Sequence, residues 1–317
     1  NFEKIKEFQK QNIKNAIIKR ELELLHLSYL GSQGDWQLIQ EIVKSSTEIE
    51  KKFNTFRAKI KEKEYTDNDI REILINETDS EKLKEAWEGG KQIGKEIEKE
   101  VLEIIKLRNK LAKQLGFDNY YELKIEIGEQ NKEELIKLFK ELENSTNKPF
   151  KKLKQEIDEV LAKRYKIKLE ELKPWHYQDR FFQKGPEIYK IKLDDFYKRD
   201  VIEKAKKYYA SIGIDVSDIL KRSDLYEKKG KYQHACCMDM NREDDVRIIQ
   251  NTKNNEDWME TTLHELGHGI YNKNLDFSLP FILRDVAHTF TTEAIALLFG
   301  RKSKNAEFIK NYGDEKP

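Results

Sequence analysis

The residues best suited to chemistry in this chain are the five from His264 to His268. They read His-Glu-Leu-Gly-His, so two imidazoles lie four positions apart and a carboxylate directly follows the first. On a helix, residues i and i+4 share one face, and the two rings can therefore bind one metal ion. Glu265 lies beside that ion without having to ligate it, and it can accept a proton from a water that zinc activates. The spacing predicts a zinc site with His264 and His268 as ligands and Glu265 as general base.

The third ligand is expected on a neighbouring helix, because a catalytic zinc takes three protein ligands and His₂Glu is a common set. Glu293 is the only acidic residue between Asp285 and Glu307, and its surroundings are apolar and helical in pattern. Burying a carboxylate there is costly unless it is paired, and a metal ion offsets that cost. His288 is a rival ligand, but it precedes the apolar helix. We therefore predict one Zn²⁺ per chain, bound by His264, His268 and Glu293.

The elements that must position these residues are mostly helical. Apolar residues recur at helical spacing over four long segments, 2–30, 35–62, 80–116 and 131–165. Two further helices, 256–274 and 291–301, carry the candidate ligands. Segments 231–238 and 246–249 have the pattern of short strands, with turn-forming residues over 241–245. The sequence predicts a mostly α protein with one small β-hairpin beside the zinc helix.

Composition and sequence pattern restrict the partners and the cellular compartment that we expect. Sixty Lys and Arg residues nearly cancel 59 Asp and Glu, for a net charge of +1, whereas a nucleic-acid-binding protein normally has a basic excess on one face. No segment approaches the roughly 18 apolar residues of a membrane span. The charged N-terminus lacks a signal-peptide core, and Cys236 and Cys237 are adjacent and poorly placed to bridge each other. We expect no nucleic-acid partner, no membrane association and a cytoplasmic location.

The stretch from His234 to Glu293 resembles the angiotensin-converting enzyme family of zinc peptidyl-dipeptidases and its bacterial oligopeptidase relatives. The likeness extends beyond the metal motif, because His234 and Ala235 precede the hairpin, and Glu256-Asp257 precede the metal motif in the family's order. Three more blocks are similar to the family, at 86–89, 107–112 and 116–121.

This resemblance implies an ellipsoidal, almost all-helical body with a deep cleft. It implies one catalytic domain over 1–317, with lid-like helices in 1–77, a helical body in 78–230, and the hairpin and zinc-binding helices in 231–317. The implied activity is hydrolysis of short peptides by zinc-activated water, with Glu265 as general base. A zinc carboxypeptidase with the same site, an endo-acting oligopeptidase and a non-catalytic helical peptide-binding scaffold are the alternatives.

The resemblance also implies substrate-binding residues. The Ala235 backbone and His234 would hold a peptide along the strand edge, and Gln178 is loosely similar to a glutamine that binds the substrate's C-terminal carboxylate. Two departures stand out. Leu297 occupies a position where the family often has an acidic residue, and the family's oxyanion-stabilising Tyr and His would lie beyond residue 317. We therefore expect a domain that is incomplete at its C-terminus and a missing C-terminal segment as a partner.

Overall fold

The computed structural model describes residues 1–182, 185–186, 188–189, 191–228, 231 and 234–314, apart from the side chains of Asp67 and Asn68. Helices make up 66% of the structure, and the strands form two small antiparallel sheets of two strands each. The prediction of a mostly α protein with a small hairpin is confirmed. None of the helices described is both long and apolar enough to cross a membrane. The division into lid, body and zinc-bearing segment stays a prediction.

One compact unit of the chain comprises Asn1–Asn12 and Leu25–Lys190. Its elements are α1 (Phe2–Gln9), the end of α2 (Ala16–Leu30), α3 (Trp36–Thr55), β1 (Ala58–Ile60), β2 (Lys63–Tyr65), α4 (Asp67–Asn76), α5 (Ser80–Gln114), α6 (Tyr120–Ile127) and α7 (Lys132–Tyr165). The long helix α5 packs against α3, α4 and β1. Leu83 of α5 and Leu161 of α7 are completely buried and lie in one apolar cluster of this unit.

The second compact unit comprises Ile13–Leu24 and Ile191–Pro317. After the start of α2, its elements are α8 (Val201–Ser211), α9 (Ser217–Arg222), β3 (Cys236–Asp239), β4 (Val246–Ile249), α10 (Glu256–Lys273), α11 (Thr289–Gly300) and α12 (Ala306–Tyr312). Helix α10 packs against α11, α8 and both strands. Its apolar residues Met259, Leu263 and Leu266 are completely buried. The helix that carries the His-Glu-Leu-Gly-His sequence is therefore the central element of this unit's core.

Helix α10 begins and ends where its sequence favours it. The Asn255 side chain accepts a hydrogen bond from the Trp258 N–H at 3.0 Å, which satisfies a backbone donor that no helical carbonyl reaches. Glu256 and Asp257 in the first turn and Lys273 in the last complement the helix dipole. The prediction for 256–274 is correct to within one residue, and α11 begins two residues before its predicted start.

The hairpin β3–β4 pairs Cys236 with Ile249 and Asp239 with Val246. Val246 and Ile248 are completely buried in the core cluster that includes α10. Strand β3 is shorter than the predicted strand 231–238, of which Tyr232 and Gln233 lie outside the described residues. The predicted strand over 246–249 agrees with β4.

Two of the predicted helices are wrong in part. The helix predicted over 2–30 is interrupted between α1 and α2, where the Asn15 side chain accepts from the N–H groups of Ile17 and Ile18. An Asn side chain competes with helical carbonyls for backbone donors, so it favours a new helix start over an uninterrupted helix. The helix predicted over 35–62 ends at Thr55, and β1 and β2 form a hairpin after it with Lys61 at φ 58° in the turn.

Candidate active site

Three side chains from α10 and α11 converge on one point. The Nε2 atoms of His264 and His268 lie 3.1 Å apart, and each lies 3.6 Å from a carboxylate oxygen of Glu293. The two rings are nearly perpendicular, at 84°. The structure thus brings together the three residues that the sequence predicts as zinc ligands.

The spacing of the two Nε2 atoms and the two carboxylate oxygens suits a zinc ion. A tetrahedral ion with bonds of about 2.0–2.1 Å to nitrogen and oxygen places its ligand atoms about 3.3–3.4 Å apart. The observed separations of 3.1 and 3.6 Å bracket that value. Two imidazoles and one carboxylate also form a common ligand set of catalytic zinc sites, which keep a fourth position open. The donor set and its geometry therefore fit zinc.

Both histidines are held in the form that can bind a metal. Burial lowers the pKa of His264, although the negative charge of Glu293 acts in the opposite direction. Burial also lowers the pKa of His268, and the neighbouring His264 lowers it further. A metal-binding imidazole must be neutral. The partial burial of the two rings therefore favours metal binding at neutral pH.

Glu265 is the buried carboxyl group of this site, with 7% of its surface exposed. Burial, followed by the negative charge of Glu293, raises its pKa to about 7, while a hydrogen bond from the Cys237 backbone N–H acts against that rise. A general base works best when its pKa lies near the working pH. The hairpin thus supplies a donor that orients the carboxylate beside the two histidines.

An open cavity of about 600 Å³ surrounds these groups. Its lining comprises Ala235, Cys236, Cys237, Asp239, Arg242, His264, Glu265, His268, Asn272, Asp285, Val286, Thr292 and Glu293. An ion pair of 2.6 Å joins Arg242, in the hairpin turn, to Asp285, in the segment before α11. Because the cavity is open and has a volume of about 600 Å³, it can admit a ligand next to both the ligand cluster and Glu265.

The sequence model of the angiotensin-converting enzyme family matches residues 1–174 and 186–313, nearly the whole chain. The chain belongs to the angiotensin-converting enzyme family. It is a zinc-dependent metallopeptidase, a hydrolase that acts on peptide bonds. The resemblance found in the sequence is confirmed. A search of curated proteins found no match.

In this angiotensin-converting enzyme family member, the backbone groups along one edge of β3 point away from its partner strand β4. The Met240 N–H donates to the Asp245 carbonyl oxygen beyond one end of the ladder. Because residues of an antiparallel ladder alternate between hydrogen-bonded and non-hydrogen-bonded pairs, the backbone groups of Cys237 point away from β4. Its N–H indeed reaches Glu265. Ala235 has the same parity as Cys237 and lines the cavity.

The two other predicted site residues, His234 and Gln178, belong to different compact units. His234 is exposed, directly before Ala235. Gln178 belongs to the other compact unit, where it is buried and its side-chain amide donates to the Ile75 carbonyl oxygen at 3.2 Å. The substrate-binding roles of these residues stay predictions.

The rival ligand His288 is the N-cap residue of α11. It is partly exposed, and its Nδ1 accepts a hydrogen bond from the Phe290 N–H. His288 is not part of the ligand cluster formed by His264, His268 and Glu293. Its position at the start of α11 agrees with the expectation that it precedes the apolar helix.

Sequence reasoning missed Thr292, whose hydroxyl lies 2.7 Å from Nδ1 of His268. Its position directly before Glu293 was the one available signal. Leu297, at the position where the family often has an acidic residue, lies one turn after Glu293 and is 46% exposed. A polar partner of a ligating histidine thus lies on α11, but directly before Glu293 and not one turn after it.

Proposed function

We propose that this metallopeptidase hydrolyses short peptides as a peptidyl-dipeptidase or oligopeptidase, with Glu265 as general base. The observation that carries the proposal is the arrangement of one buried carboxyl group and a three-residue ligand cluster around one cavity. Glu265 lines the same cavity as His264, His268 and Glu293. Metal-assisted peptide hydrolysis needs the metal and a proton acceptor at the same reacting atoms.

Zinc bound by His264, His268 and Glu293 would polarise the scissile carbonyl and lower the pKa of a water molecule. The protein's own proton transfers would be made by Glu265. Its carboxylate would accept a proton from the attacking water and deliver that proton to the leaving amine nitrogen. Burial raises the pKa of this carboxyl group, which favours a role as both proton acceptor and proton donor. The hydrogen bond from the Cys237 N–H would keep the carboxylate oriented throughout.

The open edge of β3 supports a peptide as the substrate. An extended peptide can pair with an exposed strand edge through main-chain hydrogen bonds, which hold any sequence in one register. The backbone groups of Ala235 would supply that pairing at the cavity wall, with His234 beside them. The same strand orients Glu265 through Cys237. Substrate backbone and general base would then be positioned by one strand.

The proposal is tested with pairs of short peptides that differ only in a free or an amidated C-terminus. Products are identified by mass spectrometry, with the zinc-loaded protein and with the Glu265→Gln variant as the matched control. Release of dipeptides from free C-termini, or cleavage within both members of a pair, is the expected result. Both reactions should be about 10²–10⁴-fold slower with Glu265→Gln.

Three outcomes would contradict the proposal. Stepwise release of single C-terminal residues would identify a carboxypeptidase that uses the same site. Cleavage that proceeds equally in the Glu265→Gln variant would remove Glu265 from the mechanism. A protein that binds these peptides and leaves them intact would act as a peptide-binding scaffold under those conditions.

A further inference from the structure

The His268 ring makes one hydrogen bond to a group outside the ligand cluster. Its Nδ1 lies 2.7 Å from Oγ1 of Thr292. Thr292 is buried, with 9% of its surface exposed, and the His268 side chain is 15% exposed. Water therefore competes only weakly for this contact. The backbone N–H of Thr292 donates to the His288 carbonyl oxygen, so α11 itself holds the hydroxyl in place.

The direction of this hydrogen bond follows from the other ring nitrogen. Nε2 of His268 faces Nε2 of His264 at 3.1 Å and a carboxylate oxygen of Glu293 at 3.6 Å. A metal ligand must present a lone pair at Nε2, so the neutral ring carries its proton on Nδ1. Nδ1–H then donates to Oγ1 of Thr292. A hydroxyl can accept that bond, and a methyl group of the same size cannot.

His264 and His268 differ in the hydrogen-bond partner of Nδ1. Within the described residues, Nδ1 of His264 has no hydrogen-bond partner comparable with Thr292. The tautomer and ring angle of His264 are therefore less restricted than those of His268. In addition, Glu293 and Thr292 are consecutive residues of α11, so one turn of helix supplies both a ligand and the partner of another ligand.

We propose that Thr292 is a positioning residue for the metal site, which sets the tautomer and ring orientation of His268 and thereby raises the affinity for zinc. The inference rests on the proposed ligand set of His264, His268 and Glu293. Partners of ligating histidines typically contribute about 10–100-fold in metal affinity. The contribution of Thr292 should fall in that range.

The test measures the dissociation constant of zinc by competition with a chromophoric chelator at pH 7.5. Thr292→Val keeps the side-chain shape and removes the acceptor, and it should weaken zinc binding about 10–100-fold. Thr292→Ser keeps the hydroxyl and should stay within about threefold of wild type. Thr291→Val is the matched control, because it makes the same change at the adjacent position of α11, and its zinc affinity should equal that of wild type.

Thermal unfolding with excess chelator accompanies each measurement, and Thr292→Ala replaces Thr292→Val if the valine variant does not fold. Unchanged zinc affinity in a folded Thr292→Val or Thr292→Ala variant would overturn the inference. Equal losses in Thr291→Val and Thr292→Val would also overturn it, because they would indicate a general effect on α11. The His268→Ala variant distinguishes failure of this inference from failure of the proposed ligand set. If that variant keeps the wild-type zinc affinity, the ligand set itself is wrong.

Discussion

Gly267 of α10 lies so close to Ala296 of α11 that a Cβ atom added to Gly267 would be 2.7 Å from the Cα of Ala296. Real Cβ atoms essentially never approach another atom that closely. Gly267 directly precedes the ligand His268, and Ala296 lies one turn after the ligand Glu293. The absence of a side chain at Gly267 therefore sets the distance between the helix with two imidazoles and the helix with the carboxylate.

Gly267→Ala should weaken both the fold and the metal site. The atom that blocks the new methyl group belongs to the backbone, so α11 must move as a whole, and such overpacking typically costs about 1–3 kcal/mol. We expect a lower melting temperature of the metal-free protein and a larger zinc dissociation constant. Gly269→Ala is the control, because its methyl group would first meet Cδ1 of Ile219 at 3.0 Å, a side-chain end that can move. Equal effects at the two glycines would contradict this interpretation.

Metal content should distinguish the ligand set from its rival. Wild-type protein should contain about one zinc per chain, and His264→Ala should lose most of it, because an open catalytic site needs all three protein ligands. His288→Ala should keep its zinc, since His288 caps α11 and is not part of the ligand cluster. Elemental analysis after dialysis against buffer without metal makes the comparison. Zinc lost from His288→Ala and kept by His264→Ala would reverse the assignment.

Periodicity predicted α10 and α11 because each has a helical apolar pattern, and α10 also has Asn255 as a start signal. It failed over 2–30, where apolar residues continue across the break and the decisive contact is the Asn15 side chain with two backbone N–H groups. It also missed β1 and β2, each of only three residues. So short a strand leaves too few residues for a period of two to be recognised.

The candidate site was predictable where chemistry is local in sequence. The i, i+4 spacing places His264 and His268 on one face of any helix, so their proximity follows from α10 alone. The contact of His268 with Thr292 depends instead on how α11 packs against α10. The ion pair of Arg242 and Asp285 likewise joins residues 43 positions apart. Such contacts are set by tertiary packing, which no pattern within one element contains.

Glu265→Gln should retain zinc and lose most of its turnover. Glutamine keeps an oxygen that can accept the hydrogen bond from the Cys237 N–H, but it cannot take a proton from water. Positioned proton transfer typically contributes about 10²–10⁴-fold to rate, and kcat should fall by that factor. The rate is measured on one fluorogenic short peptide at saturating zinc, with metal content determined on the same samples. Near-normal turnover in a zinc-loaded Glu265→Gln sample would exclude Glu265 as the base.

The pKa of Glu265 also predicts how the metal-free protein responds to pH. Its folded pKa of about 7 lies above the ordinary value of 4.5, so the folded state holds this proton more tightly than the unfolded chain. The contribution of Glu265 to the free energy of unfolding should therefore decrease as pH rises from about 4.5 through about 7. Glutamine is neutral throughout, and the two histidines are present in both proteins. Relative to wild type, Glu265→Gln should thus gain stability between pH 5 and pH 8.5, measured by denaturant unfolding with excess chelator.

A stability difference that stays constant over this range would show that Glu265 titrates near its ordinary pKa in the folded protein. The burial of its carboxyl group would then have little electrostatic consequence.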